Sequence, residues 1–142
     1  MASYDTPAQA TFGGQYPVRT LDTTLTVPTG ETTATVTSST KFRGTVEKVE
    51  IDPGAALAEN ATIKGFEANT PLASGTRDQF LSYKVPATPV EKVFYPRKPV
   101  QGNAGDDLTT VYDKYVVNDY ISLELASAVA GNSVRVRVYV RG

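Results

Sequence analysis

The chain has 142 residues, 40% of them hydrophobic and 20% charged, the size and make-up of one folded domain rather than two. Its 14 Lys and Arg against 15 Asp and Glu leave a formal charge of -1, so no positive surplus prepares it for a polyanion, and nucleic acid is not an expected partner. Cys and His are both absent, which excludes disulfides, thiolate metal sites, Cys nucleophiles and Ser-His or Cys-His catalytic arrangements.

Residues 1 to 17 carry Pro7, Gly13, Gly14 and Pro17 among small polar residues, with Tyr4, Phe12 and Tyr16 as isolated aromatics and no apolar period. Such a segment has too little apolar surface to offset the entropy of ordering, so it reads as an extended arm that gains order on a partner. The start has neither a basic n-region nor an apolar run, and no stretch approaches the roughly 18 apolar residues of a membrane span, so neither secretion nor a membrane is expected.

From Val18 onward Thr and Val dominate and the apolar period becomes two, the composition of a pleated, half-buried surface. Leu21 to Val27 and Thr32 to Thr37 flank Pro28-Thr29-Gly30, which predicts a hairpin. In the next strand, Phe42 to Ile51, Phe42, Gly44 and Val46 share one parity while Val49 and Ile51 take the other, as a bulge near Glu47-Lys48 would produce. Asp52-Pro53-Gly54 closes it as a turn. Pro53 to Asn60 alone has helical composition, and its shortness limits it to a loop turn or two. Further strands are predicted over 62–67, 79–85, 90–95, 109–117, 119–126 and 133–141. Pro86, Pro89, Pro96 and Pro99 fall at strand borders or in connections, where a missing donor costs least, and Gly102 to Asp107 is a loop.

The last strand carries the strongest pattern. Val134, Val136, Val138 and Val140 fall on one face, and Arg135, Arg137, Tyr139 and Arg141 on the other. Ile121, Leu123 and Leu125 precede it, and Gly131-Asn132 suggests a hairpin that sets Glu124 opposite Arg135. The expected fold is all-β: residues 18–142 form a single antiparallel β-sandwich or jelly-roll-like barrel of about eight strands, led by the arm 1–17.

No arrangement of reactive side chains stands out, and no catalytic, cofactor-binding or metal residue is predicted. Asp106-Asp107 lacks the alternating oxygen donors of a calcium loop. Glu47, Glu50 and Asp52 interleave with Lys48, Val49 and Ile51 as a solvated strand face would, rather than as a glycosidase pair. Gly13-Gly14 has no following Lys and Ser or Thr for a phosphate loop, and Asn60-Ala61-Thr62 is a chance glycosylation pattern without a secretion signal. The row Arg135, Arg137, Tyr139 and Arg141 has two readings, a protein interface or an edge strand made safe by charge. Phe94 to Pro99, with Tyr95 and Arg97, is either a docking loop or a loop stapled by two prolines. Tyr4, Phe12 and Tyr16 have little use in an arm except as anchors on another surface.

A polar, Thr-rich and Pro/Gly-punctuated arm leading into a Cys-free, His-free β domain with a closing Val-Arg strand resembles the small capsid decoration, or cement, proteins of tailed bacteriophages. Asp52-Pro53-Gly54, Phe94-Tyr95-Pro96-Arg97 and Asn132 to Val138 carry the likeness, which is one of type over the whole chain. It implies a non-enzymatic virion protein on the capsid exterior, assembled in the host cytoplasm, with the major capsid protein as partner and a dimer or trimer as its own state. The implied contacts are Tyr4, Phe12, Tyr16, Tyr95, Arg97, Arg135, Arg137, Tyr139 and Arg141. A tail-tube, neck or fibre component is the alternative within assembly proteins, set second because no long inserted hairpin is obvious, and a carbohydrate-binding sandwich follows.

Overall fold

Burial alternates at period two along most strands of the structure, a computed structural model that describes residues 4–7, 18–54, 57–68, 79–101 and 107–142, with side chains at 4–7, 99–101 and 107–110 excepted. Eleven strands result: β1 (Tyr4–Pro7), β2 (Val18–Thr26), β3 (Ala34–Thr37), β4 (Phe42–Pro53), β5 (Thr62–Glu67), β6 (Gln79–Lys84), β7 (Lys92–Phe94), β8 (Arg97–Gln101), β9 (Asp107–Asp119), β10 (Ile121–Ala126) and β11 (Ser133–Arg141). Among the described residues there is no helix.

The strands form two antiparallel sheets. One has the order β1-β2-β11-β4-β9-β8, with β7 paired to β4; the other has the order β3-β10-β5-β6. Their apolar faces close on one core, in which Leu21, Leu25, Val46, Val49 and the four valines of β11 meet Ile63, Leu81, Ile121, Leu123 and Leu125. The expected all-β sandwich is therefore present.

The partners of the strands differ from the expected hairpins. β10 lies between β3 and β5, and β11 between β2 and β4, so these two consecutive strands belong to opposite sheets. β2 and β3 likewise separate. Side by side in one sheet, the apolar rows of β10 and β11 would both need another cover; across the interior each covers the other. Glu124 stands in register with Lys64 and Thr35, not with Arg135. Arg135 instead grips Asp22 with both arms of its fork, Nε to Oδ1 at 2.9 Å and Nη2 to Oδ2 at 2.6 Å. With a neighbour on each side β11 is a central strand, so the edge-protection reading of its Arg row does not hold.

The bulge is where the parity switch puts it. Tyr139 pairs with Lys48 and Val140 with Val46, which leaves Glu47 as the extra residue of β4. Buried Phe42 and Val46 lie before it, and buried Val49 and Ile51 after it on the opposite parity. β4 runs two residues past its expected end at Ile51 and into the expected turn, with Asp52 and Pro53 paired to Arg135 and Val134. β8 was not expected, because Pro99 reads as a breaker. It lies at the sheet margin, with a partner strand on one side only, a position that tolerates proline.

Two substitutions test this packing. Gly44 has φ +137°, and a Cβ there would overlap the Arg141 carbonyl, so Gly44→Ala is expected to lose about 1–3 kcal/mol in urea unfolding. Thr23 is 1% exposed among the inward residues of β2, and its hydroxyl has no hydrogen-bond partner among the described residues. Thr23→Val removes that desolvated group and is expected to raise stability by about 1 kcal/mol in the same measurement.

Candidate functional site

At Glu47 the edge of β4 changes partner. Phe42 to Val46 pair with Asp119 to Tyr115 of β9, whereas Val49 to Ile51 pair with Phe94 to Lys92 of β7. A bulge twists its strand and re-aims the side chains beside it. Over this junction, on the face turned away from the core, lies a cleft of about 490 Å³. Glu47 and Lys48 of β4 and Tyr139 and Arg141 of β11 line it together with Lys114 of β9, Arg97 of β8, Tyr95 and Val18.

Four cationic side chains thus share the cleft with the Glu47 carboxylate, and two of them, Lys114 and Arg141, touch it. Glu47 Oε1 accepts from Lys114 Nζ at 3.1 Å and from Arg141 Nε at 2.9 Å, and its Oε2 lies 2.8 Å from Lys114 Nζ. The hydrogen bond from Lys114 is the main cause that holds the Glu47 carboxyl below its ordinary range, with burial opposing it and Arg141 reinforcing it. Beside the cleft, Tyr139 OH donates to Glu50 Oε1 at 2.5 Å. That bond lowers the Glu50 carboxyl and raises the Tyr139 phenol. Lys48 Nζ sits 4.7 Å from the Tyr139 ring centroid and 3.7 Å from Glu50 Oε2, while Arg137 Nε is 3.4 Å from Glu50 Oε1.

Arg97 differs from its neighbours. Among the described residues no carboxylate pairs with it, and its Nη1 donates to the Pro96 carbonyl at 2.8 Å. Across the ladder it faces Lys114, a like charge.

Of the residues singled out from sequence, the fold brings Tyr95, Arg97, Tyr139 and Arg141 together in the cleft. Arg135 and Arg137 lie further along β11, against Asp22 and Glu50. Tyr4 belongs to β1, which pairs with β2 on the other margin of the sheet. Phe12 and Tyr16 lie outside the described residues. Glu47, Lys48 and Lys114 were not singled out as contact residues. The parity switch marks Glu47, but no local pattern reveals Lys114, whose partner is 67 positions away.

A second feature adjoins the cleft. β9 pairs with β4 only from Tyr115 onward, and its earlier residues pair with β8 in a two-stranded ribbon. From Val111 to Lys114 successive side chains are exposed, so neither face of the ribbon is covered there. Tyr112 is 56% and Val116 62% exposed.

Comparison of the chain with protein families, with curated proteins and with solved structures finds no match.

The carboxylates set a pH dependence. Glu47 and Glu50 titrate lower in the folded protein than the ordinary value of 4.5, so their contribution is present above that value and is lost as pH falls through the folded values. Urea midpoints measured down a pH series are expected to drop below about pH 4.5, and Glu47→Gln is expected to start lower near neutrality and fall less steeply.

Proposed function

We propose that this chain is a non-enzymatic virion structural protein, a capsid decoration or cement protein that binds the outside of a major capsid shell and holds neighbouring subunits together. The strand order supports a jelly-roll reading. Without its added strands the sandwich sets β2-β11-β4-β9 against β3-β10-β5-β6, the pairing of a double Greek key, an architecture shared by viral capsid and lectin domains.

The observation that carries the assembly role is the β8–β9 ribbon. A two-stranded ribbon with both faces in solvent is marginal alone. Exposed Val111 and Tyr112 on it, and Val116 just beyond it where β9 joins β4, are residues that a neighbouring surface would cover, and tyrosine is enriched in protein interfaces. The same ribbon favours a second reading, a tail-tube, neck or fibre subunit, because ring-forming sandwiches join neighbours through inserted hairpins. A sugar-binding role comes third: of the two aromatics lining the cleft, Tyr139 has its ring under Lys48, which leaves Tyr95 as a single stacking surface.

Shells assembled from the major capsid protein of the same genome provide the test. The purified chain is expected to add at a fixed ratio per subunit in sedimentation. The double variant Val111→Asp, Tyr112→Asp is expected to keep its melting curve and bind at least tenfold more weakly. Rings or tubes formed by the chain alone support the tail reading instead. Absence of saturable shell binding overturns the decoration role.

A further inference from the structure

We infer that the cleft at the Glu47 bulge receives a carboxylate-bearing segment of a partner polypeptide, with the Arg97 guanidinium as the group that takes the carboxylate. The inference deepens the assembly reading and rests on it for the source of the segment.

The charge inventory comes first. Lys48, Arg97, Lys114 and Arg141 line the cleft with Glu47 as its single carboxylate among the described residues, and that carboxylate is shared by Lys114 and Arg141. Lys48 leans toward Glu50 and the Tyr139 ring. Arg97 remains with a main-chain carbonyl for one nitrogen and with Lys114 opposite it in the ladder. Like charges directly across a ladder destabilise it, and an anion seated between them removes that cost on arrival. The planar fork of an arginine matches a carboxylate with two parallel hydrogen bonds.

Shape and surroundings narrow the class of ligand. At about 490 Å³ the cleft has the capacity of a typical ligand site. Its walls include Tyr95, 62% exposed, and Val18, which offer apolar contact to the residues beside an acidic one. Past the cleft along the same sheet face stand Glu50 and Asp22. There a nucleic acid's next phosphates would meet Arg137 and Arg135 with their charge already answered by these carboxylates, whereas a polypeptide can place one acid at the cleft and neutral residues beyond it. The formal charge of -1 gives no wider positive field to hold a polyanion.

The full-length chain, labelled with ¹⁵N, is titrated at low salt with a hexaglutamate peptide, and in parallel with hexalysine, inorganic phosphate and a thymidine oligonucleotide. Hexaglutamate is expected to give saturable shifts confined to the amides around Glu47, Arg97 and Lys114, weakening as salt is raised. Arg97→Glu is expected to weaken binding at least tenfold while its melting temperature stays level or rises, since the like-charge pair with Lys114 is removed, and Arg97→Lys to fall between. Lack of saturation overturns the assignment, as does undiminished binding by Arg97→Glu. Phosphate or the oligonucleotide saturating the same amides as tightly also overturns it. The shell assay separates the two readings. Hexaglutamate binding without shell binding removes the decoration role and leaves the cleft assignment standing. Shell binding undiminished in Arg97→Glu removes the cleft assignment and leaves the decoration role standing.

Discussion

The insertion of the last strand between two early ones governs the rest of the molecule. Val134, Val136 and Val138 of β11 are fully buried and Val140 nearly so, and each edge of the strand is taken, by β2 and by β4. Pairs such as Arg141 with Val18 join residues almost a whole chain length apart. The central ladder therefore carries the entropy cost of closing a very long loop. Everything on its outer face, including the cleft, inherits its geometry from that closure.

The cleft shows how a small backbone irregularity organises charge. One extra residue at Glu47 shifts the facing of β4, keeps both of its halves packed inward, and leaves a carboxylate where three strands converge. Lys114 arrives from β9 and Arg141 from the end of β11. Gly44, with φ +137°, lets the chain end approach β4 closely enough for Arg141 to reach Glu47. Local strain, packing and electrostatics are here one arrangement.

Much of the strand content was legible because burial on one face imposes a period of two, and 62–67 and 133–141 match the observed β5 and β11. The bulge was legible for the same reason, as a change of parity between Val46 and Val49. Pairing was not. The apolar rows of β10 and β11 state that each strand has a buried face, but they are silent on whether that face lies beside the next strand or across the core from it. A short connection suggested the first arrangement, and the interior chose the second. Pro99 hid β8, since the rule against proline in strands relaxes at a margin. The cleft was half legible: Tyr95, Arg97, Tyr139 and Arg141 show as unusual exposed residues, whereas Lys48 and Lys114 become part of it only when distant strands meet.

The position of β11 also makes it separable in principle. The connection from Ser127 to Asn132 joins it to β10, and it is held by two ladders and by a row of valines sunk between the sheets. Without that strand, β2 and β4 would face each other across an open slot of matching register. The sheet is thus laid out as a receptor and its own plug.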